Sequence, residues 1–426
     1  MWKNNQKMTL QVFSILFCGG VSLLWPGLGH AAVNKKTNWQ LTSSIAFAGN
    51  LVETLWTADL PPKSRYHTVG VRRLALKDQA TYKGALVHLP GSSSNGNFYT
   101  TSENYDFRIY LANRGYDVYT VEYRTSFIPK TETDYSCMAT YKTGVTLADL
   151  QKIIEFVKQK TGKPRVFLSG HSTGARYVYL YACARSSEDL AGIIPMDGSP
   201  WSMNGRPSPE LTMDIHLGYT ALASGDTEMN RKLFKSWGVE PDSGYYNVLI
   251  VNWKPEMGEA MRTYFSPLPY GPQYGPFAGF PTVSDYIADQ LQNIWGDAQL
   301  TNIKNGYAKV DVMMNMMSKV GVPWPLVDYL EDAYLGNWKG NPPAAQLKFL
   351  KNIEKVQTPI LVFASEMLAT ALGYEYRWKR EGYEMIKSAD RQYILLKGFG
   401  HMDILAGEKT KDEVFVPLYN WLQAHK

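Results

Sequence analysis

The sequence predicts an α/β chain, a mostly parallel doubly wound sheet carrying a large helical cap insertion. Two observations predict it. From Lys83 onward short strand-like runs alternate with segments of helical periodicity, each pair separated by Gly or Pro signals. Between about Pro200 and Lys355 that rhythm stops, and it then resumes to the last residues.

The elements follow in order. Gly84 to Leu89 is a mostly apolar strand, closed by the small, polar turn Pro90 to Gly96. Tyr105 to Arg114 has helical spacing and Gly115 stops it, while Tyr116 to Glu122 alternates and is rich in Val and Tyr, as a strand should be. Thr143 to Lys160 places Val145, Leu147, Leu150, Ile153, Ile154 and Val157 on one stripe, the mark of an amphipathic helix. Arg165 to Ser169 is a short buried strand, Ala175 to Ala184 a helix, and Ala191 to Met196 the next strand. After the interruption come a strand at Pro359 to Ala364, a helix at Tyr374 to Ser388, a strand at Arg391 to Leu396 and a closing helix at Lys411 to Ala424. No internal repeat or low-complexity tract is present, which excludes solenoid and disordered readings.

The 426 residues suffice for one large domain with an insertion or for two domains. Net charge is +5 without any dense Lys/Arg block, so a nucleic-acid partner is not indicated. The 12 Trp and 28 Tyr exceed what a core requires, and many large apolar residues fall in the insertion, with Trp201, Trp253, Trp295, Met313, Met314, Met316, Met317 and Trp324.

Met1 to Lys7 carry two lysines, Leu10 to Leu24 are apolar, and Pro26-Gly27 then lead to Gly29, His30 and Ala31. That order is expected of a secretory leader over residues 1–31, cut near Ala31 or Ala32, giving a secreted or periplasmic protein. The alternatives are an uncleaved membrane anchor and, through Cys18, a lipoprotein; the apolar run is short for a span, and Phe17 is bulky for lipoprotein processing. Cleavage would leave Cys137 and Cys183, which fit a disulfide in an oxidising compartment or two buried thiols equally well.

Gly170-His171-Ser172-Thr173-Gly174 matches G-x-S-x-G, with a strand before it and a helix after it. In such an elbow the serine occupies a strained turn that exposes its hydroxyl, and neighbouring backbone comes too close for a Cβ at either glycine. A serine hydroxyl needs a base to take its proton. Among seven histidines, His401 is the one that directly follows the last strand, in Gly398-Phe399-Gly400-His401-Met402-Asp403. Backbone N–H groups must hold the oxyanion, and Thr173, after the nucleophile, and Ser92, after Gly91, are the expected donors.

Together the elbow, the loop His88-Leu89-Pro90-Gly91 and the late Gly400-His401 resemble the α/β-hydrolase superfamily over roughly residues 83–198 and 357–426. The stretch from Gly400 to Gly407 and on to Phe415 is similar to the histidine region of the acid lipase and esterase branch. The resemblance implies hydrolysis of apolar esters through an acyl-enzyme, with no cofactor and no metal. It fails at one point. Members usually carry an aspartate in a Gly-x-x-Asp turn after the strand that here reads Pro359 to Ala364, and this chain has Ser365-Glu366-Met367-Leu368, with leucine in the acid position. Asp197, at the end of the strand after the nucleophile helix, is the preferred acid. Glu366 is the alternative, and Asp403 is third because it lies too near His401 to reach the far ring nitrogen easily.

The expected organisation is therefore a leader at 1–31, core at 32–198, cap at 199–356 and core again at 357–426. Met and Trp adapt to apolar ligands, so the cap is read as a lid for a small-molecule or lipid-like ester and as a surface for transient membrane or lipid contact. The same Met and Trp residues could equally form the insertion's own core. Two other readings stay open: an acyltransferase on the same scaffold, and a non-catalytic binder of apolar ligands, which the missing aspartate alone supports. Oligomeric state is not legible.

Overall fold

In the computed structural model the described residues are 37–78, 82–92, 94–96, 102–129, 136–200, 312, 324, 325, 328, 349–366 and 377–425. The leader expected at 1–31 and most of the cap expected at 199–356 lie outside them.

Three strands precede the first one expected from sequence: β1 (Gln40–Ala46), β2 (Leu51–Asp59) and β3 (Thr68–Leu76). They run as an antiparallel meander, with Val52 opposite Ala75 and Thr57 opposite Gly70. The strands β4 (Gly84–Leu89), β5 (Tyr116–Glu122), β6 (Val166–His171), β7 (Leu190–Met196), β8 (Ile360–Ser365) and β9 (Arg391–Leu396) follow. All nine form one sheet in the order β1-β2-β3-β5-β4-β6-β7-β8-β9, parallel from β5 through β9. β3 joins that parallel part antiparallel to β5, and β1, an edge strand, is largely exposed.

Side chains alternate between the two faces of a strand, and each face here meets its own core. Leu86, Val118, Leu361 and Phe363 point into a cluster with Phe107, Phe415, Leu418 and Trp421. Ala85, Val87, Ile360 and Val362 point into a second, with Leu150, Ile153, Val157, Tyr177 and Leu180. Helices therefore cover both faces, and strands buried on both sides are apolar along their length. The first cluster brings in α1 (Phe107–Ala112), and the second α2 (Thr143–Thr161) and α3 (Thr173–Asp189). Asp106 caps α1 by accepting from the Arg108 N–H at 2.9 Å, and Gly162, left-handed at φ 66, ends α2.

α1 is shorter than the helix expected at 105–114, because its cap falls at Asp106. After β8 come α4 (Arg377–Met385) and, beyond β9, a short α5 (Asp403–Ala406). The closing helix expected at 411–424 is divided: Lys411–Phe415 is a π-helix, and α6 spans Val416–Ala424 with Pro417 in its first turn.

β7 and β8 are hydrogen-bonded neighbours, with Met196 opposite Phe363. Everything between Met196 and Ile360 is thus a connection between adjacent parallel strands. Of it, Trp324 packs in the second core with its ring edge-on to Tyr123 at 5.2 Å. Asp328 is buried, accepting from Arg176 and Tyr177 of α3 and, at 2.9 Å, from the Trp324 ring N–H.

Candidate active site

The turn from β6 into α3 holds Ser172 at φ 57, a left-handed conformation that costs a non-glycine residue about 1–3 kcal/mol and persists only where neighbours enforce it. They do so from three sides. The Ser172 N–H donates to the Met196 carbonyl at 3.0 Å, and the Ser172 carbonyl accepts from the Ala175 N–H at 2.9 Å. A Cβ at Gly170 would stand 2.4 Å from the Gly174 carbonyl, and one at Gly174 would stand 2.1 Å from the Leu89 oxygen. Both glycines of the motif are therefore demanded by close backbone approach, as the sequence predicts.

Asp197 directly follows β7, one strand along, and is also left-handed at φ 50. The Nδ1–H of His401 donates to its Oδ2 at 2.5 Å, and both side chains are buried. A carboxylate only accepts, so the proton on this edge of the ring belongs to Nδ1 and the far nitrogen, Nε2, is the basic one. The Ser365 main-chain N–H donates to Asp197 Oδ1 at 2.7 Å and the Ser365 hydroxyl to Oδ2 at 2.8 Å. The loop carrying His401 is tied to the elbow as well. His171, beside Ser172, bonds through Nε2 to the His401 carbonyl at 3.0 Å, and the two rings lie 4.4 Å apart.

The two other carboxylates considered for the acid are engaged elsewhere. Glu366 accepts from the Gly398 N–H at 2.9 Å, and Asp403 from the Gly400 N–H at 2.7 Å. Each braces the turn before His401 from its own side.

Thr173 is the first residue of α3, where unpaired N–H groups gather at a helix start. Opposite stands the loop after β4: a Cβ on Gly91 would meet that of Ser172 at 3.1 Å, so this loop passes directly over the elbow. Ser92 follows Gly91 in a turn closed by the Ser94 N–H donating to the Gly91 carbonyl at 3.3 Å. Tyr123 donates to the Pro90 carbonyl at 2.9 Å, and the Gly96 N–H donates to Glu122 at 3.1 Å, fixing both ends of the loop. Beneath it His88 is fully buried against Phe107, with Nδ1 2.8 Å from the Ser169 hydroxyl. Burial first, then the nearby His171 and Arg108, hold His88 well below the usual histidine range, so it stays neutral.

Cys137 and Cys183 are free thiols and not a disulfide, but only Cys183 is buried, Cys137 being partly accessible. Burial pushes the Cys183 thiol up to about 12. Among the described residues no group of His, Cys, Asp or Glu is arranged to hold a metal ion, and no helix is long and apolar enough to cross a membrane.

Ser365, His171 and Asp328 were not expected as parts of this arrangement. Ser365 sits in the turn where the resemblance looks for an aspartate, which is the signal that could have found it.

No protein-family model matches the chain, and no curated protein matches it. Solved structures do. A candidate lipase from Sulfolobus solfataricus is 22% identical with a TM-score of 0.67, covering 91% of this chain and 99% of that one. Epoxide hydrolase VrEH1 from Vigna radiata (16% identity, TM-score 0.47, 84% and 94% covered) and a soluble variant of the monoglyceride lipase of Saccharomyces cerevisiae (14%, 0.46, 92% and 97%) are more distant. The first likeness and the strand order define the fold: this chain has the α/β-hydrolase fold.

Proposed function

We propose that the protein is an exported serine hydrolase that cleaves carboxylic esters of apolar substrates through an acyl-enzyme. Ser172 is the nucleophile, His401 the general base and Asp197 the acid that orients it. The carrying observation is the 2.5 Å bond from His401 Nδ1 to Asp197 on a loop that His171 ties to the elbow of Ser172.

His401 Nε2 takes the Ser172 proton as Oγ attacks the ester carbonyl, and Asp197 stabilises the imidazolium that results. The N–H groups of Thr173 and Ser92 receive the oxyanion. Collapse of the tetrahedral adduct expels the alcohol with the proton from His401, and water then repeats the sequence to release the acid. The leucine at 368 was the one feature favouring a non-catalytic binder, and it loses that weight once a carboxylate already meets His401 from another strand end.

An apolar ester is favoured by the composition of the insertion, whose Met and Trp residues adapt to apolar ligands. Export through the leader belongs to the same proposal, and N-terminal sequencing of the mature protein tests it. The activity is tested with p-nitrophenyl esters of increasing chain length in the presence and absence of a competing alcohol. Release of free acid, faster for the longer chains, is expected. Transfer to the alcohol with little free acid would identify an acyltransferase instead, and no turnover of any ester would contradict the proposal.

A further inference from the structure

We propose that Ser365 is a positioning residue for the acid, its main-chain N–H and its hydroxyl together fixing both oxygens of Asp197. The inference rests on the roles given above to Asp197 and His401. Ser365 ends β8, and β8 is the neighbour of β7, which Asp197 directly follows. The ladder between these strands runs right up to the acid, since the Asp197 N–H donates to the Phe363 carbonyl at 2.8 Å. Two bonds then reach the carboxylate itself, at 2.7 Å to Oδ1 and 2.8 Å to Oδ2.

The second bond carries the argument, because Oδ2 is also the atom that His401 Nδ1 meets at 2.5 Å. The terminal torsion of an aspartate is broad and roughly two-fold, so one donor leaves the carboxylate plane loosely defined. A second donor on the same oxygen, from a rigid strand end, fixes the plane in which His401 must lie. Ser365 and Asp197 are both essentially inaccessible to solvent, at 0% and 1% exposure, so bulk water cannot readily replace a lost hydroxyl. The next residue completes the device: Glu366 holds the Gly398 N–H, so consecutive residues of one strand end support the acid and the turn leading to the base. The turn where the resemblance expects an acid thus carries that acid's support.

The experiment is a double-mutant cycle on the full-length protein with p-nitrophenyl butyrate, combining Ser365→Ala with Asp197→Ala. Ser365→Ala should lower kcat about tenfold, the scale of one hydrogen bond to a charged group, and leave KM unchanged. In the Asp197→Ala background it should have no further effect, because a positioning residue has nothing left to position. Ser365→Cys, similar in size but a weak donor, should behave like Ser365→Ala and takes its place if the alanine variant does not fold. Activity within twofold of wild type in either folded variant, or losses that multiply in the double variant, overturns the proposal while leaving the triad intact. Wild-type turnover that Asp197→Ala does not slow overturns the reading of Asp197 and this proposal with it.

Discussion

His401 and Asp197 are 204 residues apart in sequence, and Nδ1 of the one lies 2.5 Å from Oδ2 of the other. The carboxylate therefore comes from the strand that follows the nucleophile helix. Replacing Asp197 with alanine should lower kcat by about 10³–10⁴-fold with little change in KM, since orientation of the base and stabilisation of its charge are both lost. Glu366→Gln, which keeps an acceptor for Gly398, should cost less than about tenfold. Steady-state kinetics on the two variants decide between them, and the opposite ranking would assign the acid to Glu366.

Asp328 joins the insertion to α3, four residues beyond the nucleophile, through Arg176 and Tyr177. Asp328→Ala would leave the Arg176 guanidinium buried without this carboxylate, and loss of one partner from a buried pair costs about 3–5 kcal/mol. Urea unfolding should show a loss of that size. A change under about 1 kcal/mol would mean that this contact does not hold the insertion to the core.

The stability of the protein should fall in acid because of His88. Its folded-state value lies below the ordinary histidine value of 6.5, so between the two the unfolded chain binds the extra proton and the folded chain does not. Stability therefore rises with pH through that window and is lost as pH falls below about 6.5. His88→Asn should flatten the dependence of the thermal midpoint on pH between about 6.5 and 5. An unchanged slope would show that His88 is not the group being protonated.

Cys137 is partly accessible and Cys183 is buried with its thiol shifted up to about 12. Since the thiolate is the reactive form, iodoacetamide at pH 8 should modify Cys137 and spare Cys183 until the protein is unfolded. Peptide mass mapping before and after denaturation reads this directly, and a linked peptide containing both residues would contradict the free thiols.

Much of the site was legible because its chemistry demands local sequence. Gly170 and Gly174 are fixed by backbone contacts, and His401 by its place after the last strand, so a motif and a position sufficed. Strands buried on both faces, such as Gly84–Leu89 and Tyr116–Glu122, were legible to the residue because their ends coincide with turn signals. β1 to β3 were not. β1 is a polar, exposed edge strand and β2 mixes buried and half-buried positions without a clean alternation, so neither carries a period to read. The closing helix was expected to be uniform, and the π-helix at Lys411–Phe415 leaves no mark in a 3.6-residue pattern. Asp197 could be offered only as one of several carboxylates, since nothing local shows which strand end faces His401. Ser365 stands in the turn where the resemblance looks for an acid, but its role was not legible because its partner lies 168 residues away.

Whether Ser172 is the nucleophile is read by intact-mass and peptide mass spectrometry after treatment with a fluorophosphonate. One phosphonyl group per chain is expected, carried by Ser172, with ester turnover falling in step and both labelling and turnover absent in Ser172→Ala. An adduct on another residue, or ester turnover that survives Ser172→Ala, would contradict that role.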